Sequence, residues 1–214
     1  MSKISFVYFD VGGVALKDLS DTPKWQAILR EIGLGKFDQD DVEEIYKSHD
    51  DDICTGKMHL DELIPLYEAR FGIKVDKQYS LLRATIDNFE QNPSIWPLVK
   101  QCQSVCKIGL LTDMWTDMFP ELVRRDLLPP VVWDLIIDST VEGVRKPYSE
   151  IYEIAQSRAN VPASEILFID NREKNLVPAL ALGWQTFFYD SKNYDQANTT
   201  LAKFLTSVSH ATIK

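Results

Sequence analysis

Five short apolar runs in this 214-residue chain each end in a polar residue. Ser5–Phe9 precedes Asp10, Ile108–Leu111 precedes Thr112, Leu135–Ile137 precedes Asp138, Ile166–Ile169 precedes Asp170, and Thr186–Tyr189 precedes Asp190. Uninterrupted apolar runs of this length suit strands buried on both faces of a parallel sheet. The residues that follow them gather beyond the carboxyl ends of the strands, where open α/β sheets bind ligands. Two carboxylates meeting there could hold one Mg²⁺, which takes few protein oxygens and keeps waters for a phosphate. A carboxylate can also act as a nucleophile. Lys146, in the run Val144-Arg145-Lys146-Pro147 eight residues past Asp138, would neutralise such a carboxylate and an incoming phosphate. Pro147 can open the helix that follows, which fixes Lys146 at its mouth.

Segments of helical period separate the strands. Ile151, Ile154, Ala155 and Arg158 follow Pro147, Asn175–Leu182 is closed by Gly183, and Leu201, Phe204, Leu205 and Val208 repeat at i, i+3, i+4 and i+7. The alternation predicts an α/β fold: a doubly wound, mainly parallel, five-stranded sheet with a Rossmann-like core.

Between the first two strands the alternation fails, and the intervening residues read as helices. Asp21-Thr22-Pro23 is a start signal; Trp25, Ile28, Leu29 and Ile32 form one face, ended by Gly33. Val42, Ile45, Tyr46 and His49 make a second face, and Leu60, Leu63, Ile64 and Tyr67 a third, with Gly72 after it. Pro65 should kink that third helix. Asp76 should begin a fourth, running through Leu82 and Ile86. The expected division is a core of residues 1–15 and 91–214 and an inserted all-helical cap of residues 16–90, hinged at Gly12-Gly13 and near Asn92-Pro93.

Composition narrows the function. With 23 Lys and Arg against 32 Asp and Glu, the net charge of −9 argues against nucleic acid and anionic membranes as partners. No apolar run approaches the roughly 18 residues of a membrane span, and the N-terminus does not read as a signal peptide, so a cytoplasmic protein is expected. Cys54, Cys102 and Cys106 lack the partners of a zinc site and are expected as reduced thiols. Residues 16–90 carry 17 acidic and 10 basic residues, and Asp50-Asp51-Asp52 lies in the densest acidic stretch. That stretch runs from Asp38 to Glu62, and most of its carboxylates should lie on the outer, solvated face of the insert, away from a phosphate pocket.

Together the motifs FVYFDVGGV, IGLLTD, GVRKPYSEIY and ILFIDNREKNLVPALALG resemble the haloacid dehalogenase-like hydrolase superfamily, in order and over nearly the whole chain. The insert's position looks like the helical cap of its small-molecule hydrolases. The resemblance implies a phosphatase acting on small-molecule phosphate esters. Asp10 would be the nucleophile, and Asp10, Asp170 and the backbone carbonyl of Gly12 would hold Mg²⁺. Thr112 and Lys146 would take the phosphoryl oxygens, and Asp113 would contribute to substrate binding.

Gly12 departs from the pattern. Most phosphatases of the superfamily carry a second Asp there, a general acid–base group of a kind that contributes about 10²–10⁴-fold. Some phosphatases of the branch resembling sugar-1-phosphatases and the N-terminal phosphatase domain of soluble epoxide hydrolase also read Asp-x-Gly-x-Val. Three outcomes follow: a substrate with an easily departing leaving group, a proton supplied by another group, or vestigial activity. Asn171 stands where another Asp is common and should weaken Mg²⁺ binding. Asn175 is read as a helix-face residue, and Trp25, Trp115 and His49 as ordinary packing. A metal-free dehalogenase would give Asp170 no purpose; a non-catalytic binding module is the further alternative.

Overall fold

The computed structural model describes residues 3–19 and 22–210. In chain order the elements are β1 (Phe6–Phe9), α1 (Lys24–Glu31), α2 (Gln39–Cys54), α3 (Leu63–Phe71), α4 (Leu81–Asp87), α5 (Trp96–Val105), β2 (Lys107–Thr112) and α6 (Met118–Arg124). There follow β3 (Leu135–Asp138), α7 (Ser139–Glu142), α8 (Ser149–Ala159), β4 (Ile166–Asp170), α9 (Glu173–Ala181), β5 (Gln185–Phe188) and α10 (Tyr194–His210).

All five strands pair in parallel, in the order β3-β2-β1-β4-β5. The expected α/β sheet is borne out, and its strands bury both faces because successive side chains point to opposite sides. Val7, Phe9, Ile108, Leu110, Leu167 and Ile169 face one apolar core, while Phe6, Tyr8, Leu111, Ile166 and Phe168 face the other. The chain leaves β1 toward β2 and β3 on one side and returns as β4 and β5 on the other. The switch point therefore lies between β1 and β4, whose ends carry Asp10 and Asp170.

The helices α1–α4 all fall between β1 and β2. Their buried residues, Ile28, Leu29, Val42, Leu63, Tyr67 and Ile86 among them, share one continuous apolar cluster with Val7 and Phe9. The two connecting segments run side by side: Leu16 bridges Gln91, and the Lys17 N–H donates to the Glu90 carbonyl at 2.9 Å. Asn92 ties this joint to the sheet, its Nδ2 donating to the Val14 carbonyl at 2.8 Å and to the Tyr189 hydroxyl at 3.1 Å.

Three local expectations need correction. Asp76 starts a turn, accepting from the Gln78 N–H at 2.8 Å, and the fourth helix begins at Leu81, where the Ser80 hydroxyl accepts from the Arg83 N–H. Pro65 occupies the first turn of α3, where its missing N–H has no helical partner to lose, and a 3-10 turn, Leu60–Glu62, leads directly into the helix. Pro147 precedes rather than opens α8, which starts at Ser149 after a turn closed by Tyr148 N–H to Arg145 C=O at 3.0 Å. Asp21, the first residue of the proposed start signal, lies outside the described residues. Gly33 and Gly72 do end α1 and α3, in the left-handed region at φ 89° and 64°. The three cysteines are free. Among the described residues no helix is long and apolar enough to cross a membrane.

Candidate active site

Parallel registry puts Asp10 beside Asp170. Phe9 pairs with Ile169, and the Asp10 N–H donates to the Ile169 carbonyl at 2.9 Å. Between the two carboxylates sits Lys146, 2% exposed, reaching in from the loop after β3. Its Nζ lies 2.9 Å from Asp10 Oδ1 and 2.8 Å from Asp170 Oδ2. A buried ammonium held by two carboxylates satisfies the requirement that interior charges be paired.

The supporting bonds are equally specific. The Lys146 N–H donates to Asp113 Oδ1 at 2.9 Å, which fixes the lysine's loop against the end of β2. Asp170 Oδ1 accepts from the Arg172 N–H at 2.7 Å. Asn175 Nδ2 donates to both Asp170 oxygens, at 3.2 and 3.0 Å, from one turn into α9. Asn175 is therefore a partner of the carboxylate rather than a helix-face residue. Its buried Oδ1 has no hydrogen-bond partner among the described residues.

Electrostatics follow from burial and crowding. Burial, with the charges of Asp170 and Asp113, pushes the Asp10 carboxyl up to about 7 against the pull of Lys146. Burial disfavours the Lys146 charge, but Asp10, Asp170 and Asp113 outweigh it and hold the ammonium above the ordinary lysine range.

Asp10, Gly12, Asp113, Lys146 and Asn175 open onto a cavity of about 430 Å³. Helices α1 and α2 supply much of its wall. Thr112 is buried at the end of β2, its Oγ1 donating to the Asp113 carbonyl at 3.4 Å, and is not among the lining residues. A Cβ at Gly12 would meet nothing within 4 Å, whereas Gly13, at φ 81°, has the Asn171 side-chain amide pressed against the place where a Cβ would stand. Asn171 thus packs on the glycine turn and donates to Asp18 Oδ2 at 2.8 Å and to Ser191 Oγ at 3.3 Å.

Other expectations fare differently. Trp25 and Trp115 line the cavity instead of only packing in the interior; His49 does not, its Nδ1 lying 2.8 Å from the Ile45 carbonyl. Asp50 also lines the cavity, an exception to the expectation that most carboxylates of its stretch face solvent. Arg145 neutralises it there, Nη1 to Oδ2 at 2.6 Å, while Asp51 and Asp52 are exposed. Tyr46, Asp50 and Cys54 recur four residues apart on α2, a spacing that signals one helix face.

No group of three or more His, Cys, Asp or Glu suited to a metal occurs among the described residues. The donors that do converge are two carboxylates, already bridged by one cation, Lys146 Nζ. That set fits Mg²⁺, which needs one or two carboxylates and otherwise water and phosphate oxygens.

No family model matches the chain. Among curated proteins it is 29% identical over 125 residues to mouse acyl-CoA dehydrogenase family member 10, covering 57% of this chain and 11% of that protein. It is 23% identical over 204 residues to rat bifunctional epoxide hydrolase 2, covering 83% and 35%. A sesquiterpene phosphatase of Aspergillus oryzae is 39% identical over 54 residues, 24% of this chain and 28% of that protein. The chain thus spans about a third or less of each curated relative's length. Among solved structures, a HAD (haloacid dehalogenase) family enzyme of Bacteroides thetaiotaomicron superposes with TM-score 0.75 at 16% identity, covering 90% and 96% of the two chains. The same enzyme has been crystallised with magnesium and inorganic phosphate. A predicted HAD-like family hydrolase of Porphyromonas gingivalis gives 0.73 at 21% identity, covering 94% and 98%. The resemblance drawn from the four motifs is borne out.

Proposed function

We propose that this chain, haloacid dehalogenase-like in fold and in its four motifs, is a Mg²⁺-dependent phosphatase of small phosphomonoesters. The observation that carries the reading is the Asp10–Lys146–Asp170 cluster at the switch point of the sheet, opening onto a cavity. The crystallised neighbour with magnesium and phosphate and the phosphatase relative support it.

Asp10 and Asp170, with the Gly12 carbonyl, would hold Mg²⁺, which when bound draws charge from the phosphate oxygens. A carboxylate oxygen of Asp10 attacks phosphorus, and the P–O bond to the leaving alcohol breaks with its electron pair on the alcohol oxygen. Lys146 neutralises charge on the transferring phosphoryl group, and phosphoryl transfer depends mainly on such positioning and neutralisation. Thr112, buried one strand over, would become a further donor to that group by turning its hydroxyl from the Asp113 carbonyl. Asn175 holds Asp170 in register. With glycine at position 12, the leaving oxygen takes its proton from water, for which the space above Gly12 has room. The hydroxide so formed takes a proton from a second water as that water attacks the aspartyl-phosphate, which restores the Asp10 carboxylate and releases inorganic phosphate. One water is consumed overall.

The test is phosphate release across a panel of phosphate esters and acetyl phosphate, with Mg²⁺ and with chelator. Turnover that requires Mg²⁺ and vanishes in Asp10→Asn is expected. No release from any compound would sink the reading.

A further inference from the structure

The cavity that Asp10 and Lys146 open onto has Leu19, Trp25, Tyr46, Phe89, Trp115 and Met118 as its apolar lining. The rings of Trp25 and Tyr46, from α1 and α2, stand 5.4 Å apart at 60° and present a continuous aromatic surface. Several of the charged residues that share this lining are committed to one another, while Asp18, Arg172 and Lys174 stand at its rim as further polar lining. Asp50 is bonded to Arg145 at 2.6 Å, Glu43 to Lys47 at 2.8 Å and Lys17 to Glu90 at 3.0 Å, and Asp113 accepts from the Lys146 N–H. A ring of sugar hydroxyls would have to compete with these pairs, and each hydroxyl left unpaired on an apolar wall loses its bonds to water. An apolar body loses nothing there and gains the aromatic contact. Beside the rings, Gln26 Oε1 is buried in the same lining without a hydrogen-bond partner among the described residues.

We infer that the leaving group is the alcohol of an apolar body, aromatic or branched aliphatic, carrying at most one hydrogen-bond donor for Gln26, rather than a sugar. The inference rests on the phosphatase reading and names the substrate class of the same site. Its chemistry is the same hydrolysis: water plus the phosphate ester of an apolar alcohol gives that alcohol and inorganic phosphate.

The test compares esters whose leaving groups are all primary alcohols, so that leaving-group chemistry is held nearly constant. Benzyl and cyclohexylmethyl phosphates are set against glycerol phosphate and a hexose phosphate esterified at its primary alcohol, with acetyl phosphate as a compound lacking an apolar body. In Mg²⁺, the apolar esters should exceed the polyol esters at least tenfold in kcat/KM, since one methylene in an apolar pocket already discriminates about 10–200-fold. Trp115→Leu and Trp25→Phe should shrink the ratio of benzyl to acetyl phosphate, the first at least tenfold. Equal or better turnover of the polyol esters overturns this inference while leaving the phosphatase reading intact. Hydrolysis of nothing, acetyl phosphate included, overturns both. The wild-type ratio decides the matter even if a variant fails to fold.

Discussion

Asp50 of α2 is ion-paired at 2.6 Å with Arg145, the residue immediately before Lys146. Arg145 Nε also lies 3.6 Å from Asp113 Oδ2, and Asp113 Oδ1 holds the Lys146 N–H. The insert is thus linked through Arg145 and Asp113 to the loop that carries the lysine. Burial disfavours the Asp50 charge, yet donation from Arg145, Tyr46 and Cys54 outweighs it and lowers the carboxyl below its usual range. A lowered carboxyl contributes stability that is present above its unfolded pKa and lost as pH falls through the folded value. Asp50→Asn should therefore cost about 1 kcal/mol at neutral pH, the pair being partly exposed, and less at pH 3, below the ordinary carboxylate range. Chemical denaturation at the two pH values measures this, and an equal loss at both would contradict it. In activity, Asp50→Asn and Arg145→Gln should be non-additive, because they break one link.

A second prediction concerns Asp10 without metal. Its carboxyl, pushed up to about 7 by burial and neighbouring acids, titrates near 3.9 in the unfolded chain. Between these values the folded state binds more protons than the unfolded one, so this group lowers stability as pH rises through that window. Asp10→Asn removes the effect and leaves Lys146 its bond to Asp170. In chelator the variant should melt several degrees above the wild type at pH 8, at about 2–4 °C per kcal/mol, with little difference at pH 4. Added Mg²⁺ should raise the wild-type melting temperature and move the variant far less. A variant that melts lower at pH 8 in chelator would show that burial does not penalise the Asp10 charge.

Asn175 gives a third. It donates to both oxygens of Asp170. Partners of metal-ligating groups typically matter 10–100-fold. Asn175→Ala should raise the Mg²⁺ concentration for half-maximal phosphate release about tenfold or more, with a smaller change at saturating Mg²⁺. A Mg²⁺ titration of the two proteins separates this from a general loss of packing, which would lower the rate at every concentration.

How much of this was legible beforehand follows physical lines. The strands announced themselves because a parallel strand buried on both faces must be apolar at every position. Asp10, Asp170 and Lys146 followed, since the ends of such strands lie at one edge of the sheet. Asn175 and Asp50 were misjudged for a common reason: helical period says which residues share a face, and not what lies opposite it. The same blindness applied to Trp25 and Trp115, because a ring against a cavity and a ring against a core have the same hydropathy. Asp76 looked like a cap, but Ser80 competed for the helix start and the aspartate closed a turn instead.

The last prediction concerns Gly12 and Gly13, neighbours with opposite constraints. Gly13 sits at φ 81° with Asn171 pressed against the place of a Cβ, so Gly13→Ala should destabilise the protein by more than 1 kcal/mol. At Gly12 a Cβ meets nothing within 4 Å and the backbone is not left-handed, so an aspartate there is accommodated. Its carboxyl would stand beside the leaving oxygen and supply the proton that water must otherwise bring. Gly12→Asp should then raise kcat on alkyl phosphates about 10²-fold, within the range of a positioned general acid. Acetyl phosphate, whose leaving group needs no proton, should gain little. The contrast between the two substrates is the decisive measurement. A uniform gain would point to better metal binding, and no gain on alkyl esters in a folded variant would mean that protonation does not limit the reaction.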